Sequence, residues 1–267
     1  MESIVKWRMA KEVVLVLAVL AIGAVANGAL LSQYEFEGTW DNSVSGGLAV
    51  LPQGGAALAT DPCDGRNAAK ITGSTSWLQV GYDTVFDANK GGISTQMTIA
   101  GWFRSTSKGT SLQRLMGRGY SWYLNMNETS GDGKATIVVR NSANSGTPIK
   151  LTGNTVIRDG AWHHIAATWD TATGALKLYV DGHLDASATH VATSIQQDSR
   201  YAIGGRATSS TDGAQIFTGR VDDVRVYNNA LTEMEIRAIN PLDGYVPEPN
   251  VPGPNVPEPN VPEPNVH

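Results

Sequence analysis

HHIAATWDTATGALKLYVDG, residues 163–182, contains two strands and the turns that set them. Within Ala175–Val180, Leu176, Leu178 and Val180 fall on one face, with Lys177, Tyr179 and Asp181 on the other. A period of two is the pattern of a strand with one buried side. His163–Trp169 reads as its partner, joined to it through Asp170–Gly174. Asp181-Gly182 follows at once and suits a tight hairpin turn with positive φ.

Further strand signals lie to either side. Thr98–Arg104 (TIAGWFR), Ala135–Arg140 (ATIVVR) and Phe217–Tyr227 read as strands, and Tyr34 and Phe36 alternate with Glu35 and Glu37. Thr232 and Glu235 have capping-box spacing, which predicts a short helix stopping before Pro241. Turns close to most strands, and the lack of βαβ crossovers, predict an all-β, antiparallel sandwich of two facing sheets with one short C-terminal helix. The 29 glycines among 267 residues agree with strands joined by tight turns.

Both ends of the chain differ from this body. Lys6, Arg8 and Lys11 precede the apolar run Val13–Ala21, and Ala24-Val25-Ala26 supplies small residues. That order predicts a secretory signal over 1–26, cut after Ala26, and too short in its apolar part to span a bilayer. The folded domain is then expected over 30–245. From Val246 the sequence repeats VPEPN with a period of five, and eight of the twelve prolines lie there. Proline removes the amide donor, so 246–267 should be an extended polyproline II-like arm. Its Val-Pro-Glu-Pro resembles the start of the bacterial PEP-CTERM sorting signal, although the apolar helix and basic end of that signal do not follow here.

Setting aside 1–26 leaves 17 basic and 23 acidic residues, a net charge of −6. A mildly acidic protein without basic runs has no electrostatic reason to seek nucleic acid or anionic lipid. Cys63 is the only cysteine, so no intramolecular disulfide can form. The expected setting is outside the cell or in the cell envelope, with no membrane span once the signal is cut.

The blocks YEFEGTWDNSVSGG, MTIAGWFRS, DGAWHHIAATWD, GALKLYVDGHL, YAIGGRA and FTGRVDDVRVYNNALTEMEI occur in this order. Together, over about residues 32–238, they resemble the LamG-like jellyroll family of the concanavalin A-like lectin/glucanase superfamily, here in a bacterial-type secreted protein. The resemblance implies a jelly-roll sandwich that binds carbohydrate or protein partners, frequently with calcium. The first expectation is therefore a secreted, non-catalytic module for extracellular or cell-surface glycans. A protein-interaction or envelope-structural module is the alternative, and a glycoside hydrolase or polysaccharide lyase a weaker one.

Hydrolysis needs paired carboxylates. Laminarinase-type relatives place them as Glu-x-Asp-x-x-Glu, a string this sequence lacks, with Trp40 standing where the next carboxylate after Glu35 and Glu37 would fall. The adjacent His163 and His164 point to opposite faces of a strand, so one ion cannot take both, and packing beside Trp162 and Trp169 is the expectation. Asp222 shares parity with Val224 and Val226, which turns one carboxylate of the Asp222-Asp223 pair toward an apolar side unless a bulge intervenes. A buried carboxylate needs a partner. That partner is either a structural calcium ion or Arg225 or Arg220. The resemblance implies calcium between the first and last strands, with Glu37, Asp41, Asp222 and Asp223 as candidate ligands. Aromatics available for stacking on sugar are Trp40, Trp77, Tyr82, Tyr120, Trp122 and Tyr123. Tyr120-Ser121-Trp122-Tyr123 has aromatics at both parities, so one of its faces is expected to be open.

Overall fold

The computed structural model describes residues 29–240 except 63, 82–83, 88–91, 106, 108–110, 130, 141–147, 191–194, 196–199 and 208–213. The expected signal, Cys63, Tyr82 and the proline-rich arm lie outside the described residues. In chain order the strands are β1 (Leu30–Tyr34), β2 (Leu51–Gln53), β3 (Ala57–Thr60), β4 (Asn67–Ile71), β5 (Trp77–Gly81), β6 (Gln96–Ser105), β7 (Gln113–Arg118) and β8 (Trp122–Met126). They continue with β9 (Lys134–Val139), β10 (Ile149–Val156), β11 (His163–Asp170), β12 (Ala175–Val180), β13 (His183–Thr189), β14 (Tyr201–Ile203) and β15 (Gly219–Tyr227). Helix α1 (Glu233–Ala238) follows.

Two sheets form. The first runs β13-β12-β11-β6-β15-β4-β3, with β1 also on β15, and the second runs β10-β9-β8-β7-β14-β5-β2. Every strand pairing is antiparallel. The chain passes between the sheets at β1–β2–β3, β4–β5–β6–β7, β10–β11 and β13–β14–β15, while β7–β10 and β11–β13 run as meanders within one sheet, which makes the body a jelly-roll β-sandwich. Met97, Ile99 and Phe103 of β6, Ile165, Ala167 and Trp169 of β11 and Leu176, Leu178 and Val180 of β12 enter the core. From the second sheet come Trp122, Leu124 and Met126 of β8 and Ala135, Ile137 and Val139 of β9. The period-two reading of Ala175–Val180 is thus correct in both face and extent. Asp181 (φ 53°) and Gly182 (φ 81°) both take positive φ and turn β12 into β13.

Two features depart from regular alternation. β1 ends at Tyr34, because Phe36 takes a φ of 53° and still turns into the core. The Tyr34–Glu37 alternation is therefore not one continuous strand. In β15 a bulge falls between Asp222 and Arg225 opposite β6, with Asp223 at φ 45°. The bulge lets Val221, Val224 and Val226 all reach the core while both aspartates stay on the outer side.

The outer faces of the two sheets are finished differently. On the first sheet, Leu231, Ile236 and Ile239 from the α1 segment pack on Ala100, Ala166 and Tyr179. Small residues on β6 and β11 make room for the helix. Its start is set by the predicted capping box, with the Thr232 hydroxyl accepting from the Glu235 amide and the Glu235 carboxylate accepting from the Thr232 amide. Beside the helix, Trp102, Arg66 and Trp162 form a stack, with the Arg66 guanidinium 4.9 Å from one ring and 4.6 Å from the other. The outer face of the second sheet has no such helix among the described residues.

Candidate functional site

The expected calcium residues have other partners. β1 does lie beside β15, with Tyr34 opposite Val224 and Gln33 opposite Arg225. The β1 side chain that reaches Asp223 is Gln33, whose Nε2 donates to Oδ1 at 2.9 Å. Arg225 donates to both oxygens of Asp223, at 2.9 and 2.8 Å. Asp222 accepts from the Asp223 amide at 2.8 Å and faces Arg66 at 3.7 Å. Glu37 accepts from Asn67 at 3.1 Å, and Asp41 from the Thr39 hydroxyl. Of the two partners open to the aspartates, Arg225 is present at hydrogen-bond distance of Asp223. Arg220 instead faces Asp61, which is fully buried and also held by Arg104 at 2.7 Å. Among the described residues no group of three or more His, Cys, Asp or Glu side chains is placed to hold a metal ion.

The two histidines separate as their parity requires. His164 is buried, tilted against Trp102 at 5.3 Å, and its pKa is lowered to about 4 by burial. His163 lies between Asp181, 2.8 Å from Nδ1, and Asp159, 3.1 Å from Nε2. The hydrogen bond to Asp181 raises its pKa above the ordinary value. The packing expected beside Trp162 and Trp169 is met in kind, but the ring that His164 touches is Trp102.

Most of the candidate sugar-stacking aromatics are buried. Trp122 is 1% exposed and packs on Phe86 and Tyr201. Trp77 is buried against Ala202 and Ala207, and Trp40 is half-buried on Phe36. Tyr120 differs, at 40% exposed in the turn between β7 and β8. Tyr123 projects from β8 on the same outer side as Asn125, since Trp122, Leu124 and Met126 take the core side.

A set of basic residues gathers around these two tyrosines. The Arg114 guanidinium lies 3.6 Å from the Tyr123 ring centroid. Its nitrogens donate to Asn125 Oδ1 and the Gly119 carbonyl at 3.0 Å, and to Gln215 Oε1 at 3.2 Å. Burial lowers the Arg114 pKa to about 10, and Arg206 adds to the lowering. Arg140, just past β9, and Arg206, just past β14, place their guanidinium groups 5.5 and 5.4 Å from the Tyr120 ring centroid. The Nε of each is enclosed and has no hydrogen-bond partner among the described residues. At the edge, Glu128 accepts from Asn125 at 2.8 Å and pairs with Lys150. Burial pushes the Glu128 pKa up, but those two hydrogen bonds outweigh it and hold the group below its ordinary value. Sequence reasoning reached Tyr120 and Tyr123 because aromatics fall at both parities of Tyr120–Tyr123, but it missed the arginines. They come from positions 114, 140 and 206, and no local spacing links them.

Comparison with known proteins agrees with the architecture. A family model described as the concanavalin A-like lectin/glucanases superfamily matches residues 72–237. Pentraxin-related protein PTX3 of Mus musculus is 29% identical over 100 residues, which are 33% of this chain and 25% of that protein. The Rattus norvegicus sushi, von Willebrand factor type A, EGF and pentraxin domain-containing protein 1 is 28% identical over 95 residues, 34% of this chain and 3% of that protein. This chain therefore spans only a small part of these curated relatives. Among solved structures, domain 4 of AbnA, a GH43 extracellular arabinanase from Geobacillus stearothermophilus in complex with arabinotriose, superposes with a TM-score of 0.60 at 19% identity. That match covers 80% of this chain and all of that one. A botulinum neurotoxin type C structure, of a toxin whose cell entry depends on two ganglioside molecules, superposes at 0.61 with 12% identity over 79% of this chain and 50% of that one.

Proposed function

The chain belongs to the concanavalin A-like lectin/glucanases superfamily, and from that premise we propose that it is a non-catalytic glycan-binding module acting outside the cell. The observation that carries the reading is the Tyr120 ring, exposed on the outer side of the second sheet beside the guanidinium groups of Arg140 and Arg206. A planar aromatic face accepts the apolar face of a sugar ring, while guanidinium and amide groups at its rim donate to hydroxyls. Nearby, Arg114 donates to both Asn125 and Gln215, which fixes its guanidinium before a ligand arrives.

A binding role without catalysis is favoured by the carboxylates. Glu128, at the edge of this face, is occupied by Lys150 and Asn125. Glu35 and Glu37, which alternation would place on one face, are separated by the turn at Phe36, and each has a protein partner. The basic, apolar and small-residue order of 1–26 supports export. The arabinotriose bound to the similar arabinanase domain supports sugar as the ligand class.

The full chain screened on a broad glycan and polysaccharide array, beside a Tyr120→Ala variant, tests the reading. Specific binding that is weaker in the variant supports it. A negative array from protein shown to be folded would move the function to a protein partner.

A further inference from the structure

The charge of the same face narrows the chemical class of the glycan, an inference that rests on the glycan-binding reading. Six arginines among the described residues lie within ion-pair distance of a carboxylate. Arg66 is near Asp64 and Asp222, Arg104 and Arg220 share Asp61, Arg118 meets Asp87, Arg225 meets Asp223, and Arg237 meets Glu233. Arg114, Arg140 and Arg206 have no carboxylate at that distance among the described residues. Arg114 is satisfied by three neutral acceptors. Arg140 and Arg206 share the Tyr120 ring as a neighbour, and each has an enclosed Nε without an acceptor among the described residues. The nearby acid, Glu128, is already paired with Lys150.

A chain with five more acidic than basic residues has therefore gathered around one exposed ring three arginines with no carboxylate at ion-pair distance among the described residues. Like charges held together raise the energy of the unliganded protein, and a ligand that neutralises them recovers that energy. Part-burial strengthens the attraction further, because the local dielectric is lower than that of water. The guanidinium fork matches a planar carboxylate, with two parallel N–H groups for two oxygens. A sugar stacked on Tyr120 brings an acid group carried on its ring within reach of both Arg140 and Arg206.

We propose that this face recognises an acidic polysaccharide whose sugar carboxylates are received by Arg140 and Arg206 beside Tyr120, with Arg114 supplying further positive charge.

The test is calorimetric titration of the full chain with three polymers: polygalacturonate, the same polymer after carboxyl reduction, and a sulfated galactan. Polygalacturonate is expected to bind, with affinity falling about tenfold or more on carboxyl reduction, the scale of losing a charge-assisted contact. Raising sodium chloride from about 0.05 to about 0.5 M should weaken the binding further. Arg140→Gln and Arg206→Gln should each weaken polygalacturonate binding about tenfold. Arg206→Lys, which keeps the charge but loses the fork, should fall between them and the unaltered chain. The salt dependence of the unaltered chain keeps the test valid if a variant fails to fold. Equal binding of the acid and reduced polymers, or a preference for the sulfated one, would overturn the acidic-sugar assignment and leave glycan binding in place. Binding to neutral glycans alone would do the same. Failure to bind any glycan on the array would sink the functional reading itself.

Discussion

Trp122 and Tyr120 stand two residues apart in one turn-and-strand segment and do different work. Trp122 fills the core between Phe86 and Tyr201, so Trp122→Ala is expected to cost about 3–5 kcal/mol, read by chemical denaturation. Tyr120→Ala removes an exposed ring, and its loss should appear in glycan titrations, as a weakening of about fivefold, rather than in the denaturation midpoint. The reverse pattern would show that the ring stabilises the fold. Parity set Tyr123 opposite Trp122 but grouped Tyr120 with it; the turn at 119–121 that lifts Tyr120 out, and the side that meets the core, are set by the rest of the fold. His163 and His164 make a second adjacent pair with opposed behaviour. His164 is held neutral with a pKa of about 4, while an unfolded histidine titrates near 6.5. Its contribution is present above pH 6.5 and is lost as pH falls, by up to about 3 kcal/mol at pH 4. His163 has its pKa raised by Asp181, so its charge contribution is full below pH 6.5 and fades as pH rises through the folded value. Thermal melts should therefore show His163→Gln falling further below the unaltered chain at about pH 5.5 than at about pH 9. His164→Gln should flatten the loss of stability below pH 6.5. Equal offsets at both pH values would contradict the charge assignment.

At the scale of elements, β15 shows how strict alternation can mislead. Strand-only parity sends Asp222 to the side of Val224 and Val226, a costly burial that invites a cation. The bulge at Asp222–Asp223 resets the register, and the charge is met instead by Arg225, Gln33 and Arg66. A bulge of this kind leaves no mark in the hydrophobic pattern, whereas the Asp181-Gly182 turn was legible because its two residue types suit its backbone. Both aspartates and Arg225 are nearly inaccessible, so removing one member strands a buried charge. Asp223→Ala is expected to destabilise the fold by about 3–5 kcal/mol, seen as a fall in the denaturation midpoint. A loss under about 1 kcal/mol would show that solvent already compensates Arg225. Because Arg225 and Arg66 supply the positive charge here, EDTA is expected to leave the melting temperature unchanged. A large drop on chelation, reversed by calcium, would instead place an ion between β1 and β15.

For the whole molecule, what matters is that the two sheets are not equivalent. Both have an inner face that local periodicity identifies, and this is why the sandwich class could be read from strands such as Ala175–Val180 alone. Which outer face stays open is decided over long range. α1 caps one sheet through Ile236 and Ile239, and positions 114, 120, 140 and 206 converge on the other. Nothing in the spacing of those four residues joins them, so the fold was legible and the candidate site only in its two tyrosines. The same asymmetry makes the placement of the site testable without touching it. Ile236 is fully buried on the first sheet, and Ile236→Asp would bury an unpaired charge against Ala100, Ala166 and Tyr179. That should cost several kcal/mol and lower the melting temperature. Measured well below that temperature, glycan affinity should be unchanged, because the core separates α1 from Tyr120. A loss of affinity in protein that remains folded would move the binding site to the helix-bearing face.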